Sequence, residues 1–102
     1  MTNIEKKKKL QSLLAKKTGR EESYYSCLEE MDDLKTNYND YMTTGPIDVE
    51  TELGRLPSAD YDLCAAFLTM LLREDHFSNG VFERRYRNGQ VTAIVDRMIE
   101  LL

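Results

Sequence analysis

From Tyr61 to Leu72 almost every position is apolar, with Leu63, Cys64, Ala65, Ala66, Phe67, Leu68, Met70 and Leu71 filling the interval. A helix that is apolar on most sides cannot face water and belongs in the middle of a core, so the rest of the chain must cover it. Ala65 and Ala66 permit close helix approach, and Ser58 is placed to cap the element, with Asp60 and Asp62 in its first turn. The 102 residues leave room for one domain and one modest core. Helix formers dominate, Pro is confined to Pro46 and Pro57, and Trp is absent. The expected fold is therefore all-α: a bundle of four to five helices around a central apolar helix at about 59–75.

The other segments read as covering helices. Residues 3–17 form a basic first helix, with Thr2 or Asn3 as cap, Glu5 four residues before Lys9, and a narrow stripe of Leu10, Leu13 and Leu14. Gly19 breaks that pattern, and Thr18 to Glu21 has the form of a capping box. Tyr24, Cys27, Met31, Leu34, Tyr38 and Tyr41 then follow at 3-4-3-4-3 spacing. This spacing predicts one apolar seam on a helix running from 21 to 42, widened by Leu28. The opposite side carries Glu22, Glu29, Glu30, Asp33 and Asn37. Gly45 suits the position after a helix and Pro46 the first turn of another. Residues 46–53 are either a short helix stopped by Gly54 or an extended segment through Ile47 and Val49.

Charge is layered along the chain. Residues 1–20 carry seven bases and one acid, residues 21–62 twelve acids and two bases, and residues 63–102 five of each. The basic first helix therefore pairs either with the acidic second helix of its own chain, as a hairpin, or with that of a second copy. A helix from 21 to 42 is longer than so small a core requires. Its seam, through Tyr24, Met31, Leu34, Tyr38 and Tyr41, is accordingly the candidate surface for a homodimer. The run Lys6 to Lys9 lacks interleaved aromatics and reads as a solvated face. The N-terminus has no apolar targeting core, and no apolar run reaches membrane-spanning length. Cys27 and Cys64 fall on apolar faces as small hydrophobes, so a reduced, cytoplasmic protein is expected.

The C-terminal block, residues 58–102, is punctuated by Ser78-Asn79-Gly80 and Asn88-Gly89. Between these turns lies a short basic helix with Phe82 and Tyr86 on one side and Arg84, Arg85 and Arg87 elsewhere. A closing helix follows with Val91, Ile94, Val95, Met98 and Leu102 on one face. Phe67 to Gly80, then Asn88-Gly89, then Ile94 to Met98, resembles an uncharacterised bacterial domain-of-unknown-function family. That family's pattern is a Leu-Leu-Thr helix ending in a basic residue, an Arg-Phe-x-x-Gly turn, a second Gly and an Arg-containing closing helix. Arg73, Phe77, Gly80, Gly89 and Arg97 stand on matching positions, and His76 stands where the pattern has Arg. The resemblance implies a small helical domain and assigns no activity. Physically, Gly80 and Gly89 permit left-handed turns, Phe77 is placed to plug the space between helices, and Arg73 and Arg97 are within reach of carboxylates or helix-end carbonyls.

No residue set carries an enzyme's chemistry. Glu29, Glu30, Asp32 and Asp33 are the densest carboxylates, and Glu30/Asp33 mimics one half of the helical Mg²⁺ sites of nucleotide pyrophosphatases. The Glu-x-x-Glu half is missing, so the group reads as a solvated face. The single His76 has neither nucleophile nor metal-ligand partners, and neither Gly-containing turn is a phosphate loop. No catalytic residue, cofactor or metal is expected. What remains is a protein–protein interaction or regulatory module, with Arg73, His76, Phe77, Arg84, Arg85, Arg87 and Arg97 as candidate contacts to an unidentified protein partner. The alternative is a nucleic-acid binder using the basic 84–87 helix, against which Glu74, Asp75, Glu83 and the acidic middle of the chain weigh.

Overall fold

A computed structural model describes residues 1–102. Six α-helices build it: α1 (Asn3–Ala15), α2 (Glu21–Glu30), α3 (Val49–Leu53), α4 (Tyr61–Phe77), α5 (Val81–Arg87) and α6 (Gln90–Leu101). Two short 3-10 turns, Tyr38–Tyr41 and Leu56–Ser58, bring the helical segments to more than the four to five read from periodicity. The all-α class holds, and α4 is the central element. It touches α2, the 38–41 turn, α5 and α6. Every residue from Cys64 to Leu72 is buried, as the all-round apolar pattern requires.

α1 begins at a full capping box. The Thr2 hydroxyl accepts from the Glu5 amide, and the Glu5 carboxylate accepts from the Thr2 amide. Its Leu10 and Leu13 enter the core, and the helix folds back on its own chain. Lys6 meets Asp33 at 2.9 Å, and Lys9 pairs with Glu30. The hairpin is thus the pairing adopted by the opposite charges of residues 1–20 and 21–62 within one chain. Thr18 and Glu21 do not form the expected capping box: the Thr18 hydroxyl accepts from the Arg20 amide, and Arg20 precedes α2 without a side-chain cap.

The predicted 22-residue second helix is corrected by a turn in its middle. α2 ends at Glu30, where Asp32 adopts φ +59°. The Asp33 amide donates to the Leu28 carbonyl and the Asp32 amide to Glu29, the paired bonds of a Schellman cap. Such caps usually show a glycine, and here Asp, which tolerates the left-handed region, takes its place. The turn carries the Asp33 carboxylate inward, where Lys6 and the Tyr61 hydroxyl, 2.6 Å away, both reach it. Beyond it, Lys35 donates its amide to the buried Thr69 hydroxyl of α4 at 3.1 Å. Tyr24, Cys27 and Met31 are consumed in the chain's own core, while Leu34 and Tyr38 are partly buried against it. The seam proposed for self-association is therefore not a continuous projecting face, because half of it is interior and the rest lies after the break. The Tyr24 hydroxyl donates to the Thr18 carbonyl at 2.6 Å, and burial pushes its pKa up to about 12.

The connector between α2 and α4 is organised by one acid. Glu52 of α3 is wholly buried, accepting from the amides and hydroxyls of Thr43 and Thr44 and from Arg55 at 2.8 Å. Arg55 donates also to the Tyr41 carbonyl and lies over the Phe67 ring. Burial works to raise the Glu52 carboxyl, but hydrogen bonds from Thr44, Arg55 and Thr43 outweigh it and hold it at about 2. Of the two readings of residues 46–53, the short helix is the one formed, capped by Asp48. Asp60, not Ser58, caps α4. No helix is long and apolar enough to cross a membrane.

Candidate functional site

The motif positions of the C-terminal block separate into two groups. Gly80 and Gly89 have φ of +90° and +89° and immediately precede α5 and α6, so both are turn-makers. Arg97 bridges α6 to the loop before α4, with Nε and one terminal nitrogen 3.2 and 3.1 Å from the Ala59 carbonyl, and it also pairs with Glu100. Asp75, which the sequence did not single out, is buried and accepts from the amides of Gly80 and Phe82 at 3.1 and 3.0 Å. It does for α5 what a side-chain cap does elsewhere.

Arg73, His76 and Phe77 behave differently. All three are exposed, Phe77 at 79%. Phe77 is thus no plug between helices. Phe82 has that place, fully buried with its ring centroid 5.1 Å from that of Tyr24. His76 stacks edge-on against Phe77 at 5.2 Å. Arg73 makes no salt bridge within its own chain: Glu74 is held by Arg85 and Asp75 by backbone amides, while Glu21 and Glu22 line the same hollow without pairing with it, Glu22 lying 3.6 Å from Arg20.

Two adjoining hollows beside α4 share Tyr25, Leu72 and Arg73 in their walls. The first, about 420 Å³, runs between Glu21, Tyr25 and Ser26 of α2 and Leu72, Arg73 and His76 of α4. The second, about 310 Å³, continues past Leu34, Thr36, Tyr38 and Asn39 over Thr69 and Leu72. Tyr25 stands at their border, 44% exposed. In sequence its place is legible only as a position about 100° round the helix from Tyr24 and off the 24–27–31 stripe.

The basic 84–87 helix is not a free cationic strip. Arg85 is clamped by Glu74 through two nitrogens, at 2.5 and 2.9 Å, and reaches Glu50 at 2.9 Å and Gln90 at 2.8 Å. The Glu74 hydrogen bonds raise its pKa further above the ordinary arginine value. Arg87 pairs with Glu83 at 2.6 Å. Arg84 alone is exposed without a carboxylate partner. The acidic group at 29–33 is likewise dispersed, with Asp33 inside and Glu30 on Lys9. Cys27 and Cys64 are buried free thiols, each pushed up to about 11 by burial.

Residues 22–102 match a protein family described as a family of unknown function, DUF6508. The chain belongs to that family. The match takes in α2 and the connector as well as the 58–102 block that carries the resemblance in sequence, and α1 lies outside it. No curated protein and no solved structure matches. In this DUF6508 domain, then, Gly80, Gly89 and Arg97 have structural work that explains them. Arg73 and Phe77 have none.

Proposed function

We propose that this DUF6508 chain is a non-enzymatic protein–protein interaction module of the bacterial cytoplasm, and that it docks its partner on the Tyr25–Arg73–His76–Phe77 face. The observation that carries this reading is Phe77, 79% exposed at the end of the central helix beside an Arg with no internal partner. An exposed aromatic is a loss in water that an interface recovers, at about 1.5–3 kcal/mol for full burial. Aromatic and arginine side chains together are the residues that anchor protein interfaces. The partner chemistry that fits is an apolar side chain over Phe77 and Tyr25 with a carboxylate beside Arg73. Two buried thiols agree with a reducing compartment.

The nucleic-acid reading draws support only from Arg84, since Arg85 and Arg87 are already neutralised within the chain. A photoreactive phenylalanine analogue at position 25, with position 93 on α6 as control, tests the proposal in the native host. The expected result is a discrete protein adduct from position 25 that disappears with Arg73→Ala and Phe77→Ser. Adducts equal at both positions, or insensitive to those substitutions, would refute it. A steeply salt-dependent shift of DNA or RNA abolished by Arg84→Ala would install the rival.

A further inference from the structure

α1 lies outside the residues that match the family, yet it closes the core. Leu10 is fully buried and Leu13 nearly so, and the helix lies against α2 and α6. Its edge is held by charge, Lys6 on Asp33 and Lys9 on Glu30. The return from α1 to α2 occupies residues 16–20 and is tight. Lys17 sits at φ +49°, the left-handed region that an L side chain enters at a cost. Gly19 passes beside Tyr86 where an added Cβ would stand 2.9 Å from the ring, so the return has room for glycine there and its strained residue is Lys17. The contacts of α1 are thus well made, and the strain of the hairpin is concentrated in its hinge.

We propose that the groove between α2 and α6 also accepts the α1 of a second copy, so that two chains exchange their basic N-terminal helices in a two-fold dimer. Exchange preserves every contact of α1, both apolar and ionic, and releases the return at Lys17. Short strained hinges are what drive swapping of an identical element between protomers. The charge division serves the exchange equally well, with residues 1–20 strongly basic and residues 21–62 strongly acidic. The occupant is specified by what already fills the groove: a helix with leucines three residues apart and lysines that meet Asp33 and Glu30.

Two measurements on the full chain test this. The first is light scattering from micromolar to millimolar concentration on the native sequence, Lys17→Gly and Lys17→Pro. Proline cannot adopt φ +49° and so disfavours the hairpin, while glycine adopts it freely. The expected order of dimer content is Lys17→Pro, then native, then Lys17→Gly, with the Gly variant dissociating about tenfold more readily or beyond. The dimer should weigh twice 11.9 kDa. The second is Lys9→Cys with Glu30→Cys, oxidised in the dimer fraction, where Cys27 and Cys64 are too buried to compete. A covalent dimer on a non-reducing gel supports exchange. A native chain and a folded Lys17→Pro that are both monomeric at every concentration overturn it. So does a dimer whose new disulfide forms only within each chain. If Lys17→Pro does not fold, the native dimer content and the cysteine pair decide.

Discussion

The inward and outward sides of the last turns of α4 differ in kind, although they belong to one continuous helix. Inward, Glu74 and Asp75 each have fixed partners: Arg85 for the first, the amides that start α5 for the second. Outward, Arg73, His76 and Phe77 stand in solvent with only an edge-on His76–Phe77 contact between them. Charged side chains buried in a fold must be paired, because desolvation without a partner costs several kcal/mol. Exposed ones need no such justification, and an exposed Phe runs against the hydrophobic effect. The difference separates residues that make the fold from residues that the fold displays.

The largest expected effect is on the inward class. Glu52→Ala would strand Arg55 and the amides of Thr43 and Thr44, costing about 3 kcal/mol in urea denaturation. The same carboxyl gives a pH signature. Its pKa is lowered on folding from an ordinary 4.5 to about 2, so its stabilisation is present above pH 4.5 and is lost as pH falls toward 2. The full swing is about 3 kcal/mol for a shift of that size. Unfolding free energy measured across that window should fall in the native chain and flatten in Glu52→Gln.

Next come the elements of the family block itself. Asp75→Ala removes one acceptor from two amides and should cost about 2 kcal/mol. Gly89→Ala meets nothing within 4 Å, so its penalty is conformational alone, about 1–2 kcal/mol from φ +89°. Both are read from denaturant midpoints, and a neutral Asp75→Ala would erase the distinction between the two sides of α4.

These expectations also mark what sequence pattern can carry. The central helix was legible because its apolar residues leave no polar side, and Gly80 and Gly89 because positive φ selects glycine. The end of α2 was not legible. The seam from Tyr24 to Tyr41 keeps helical spacing through Asp32, and the Schellman cap there uses an aspartate that local pattern does not flag. What decides it is tertiary: Asp33 is drawn to Lys6 of α1 and Tyr61 of α4. The candidate arginines were legible as a set but not in their roles. Arg85 depends on Glu50, 35 residues away in sequence, and Arg97 on the Ala59 carbonyl, 38 away. The sequence reading gives Phe77 the interior place that Phe82 takes, for the same reason: Phe77 follows the polar stretch Arg73-Glu74-Asp75-His76 and Phe82 follows the turn at Gly80, and only tertiary packing decides which ring faces in.

The smallest expected effect bears most directly on the central claim, that the outward side of α4 is displayed and does not hold the fold together. Arg73→Ala combined with Phe77→Ser should change the unfolding free energy by no more than about 0.5 kcal/mol, as surface substitutions do. Measured beside Asp75→Ala in one urea series, the double variant should superimpose on the native curve while Asp75→Ala shifts clearly to lower denaturant. A double variant destabilised as much as Asp75→Ala would contradict the account, because it would return Arg73 and Phe77 to the fold and leave the face without its anchors.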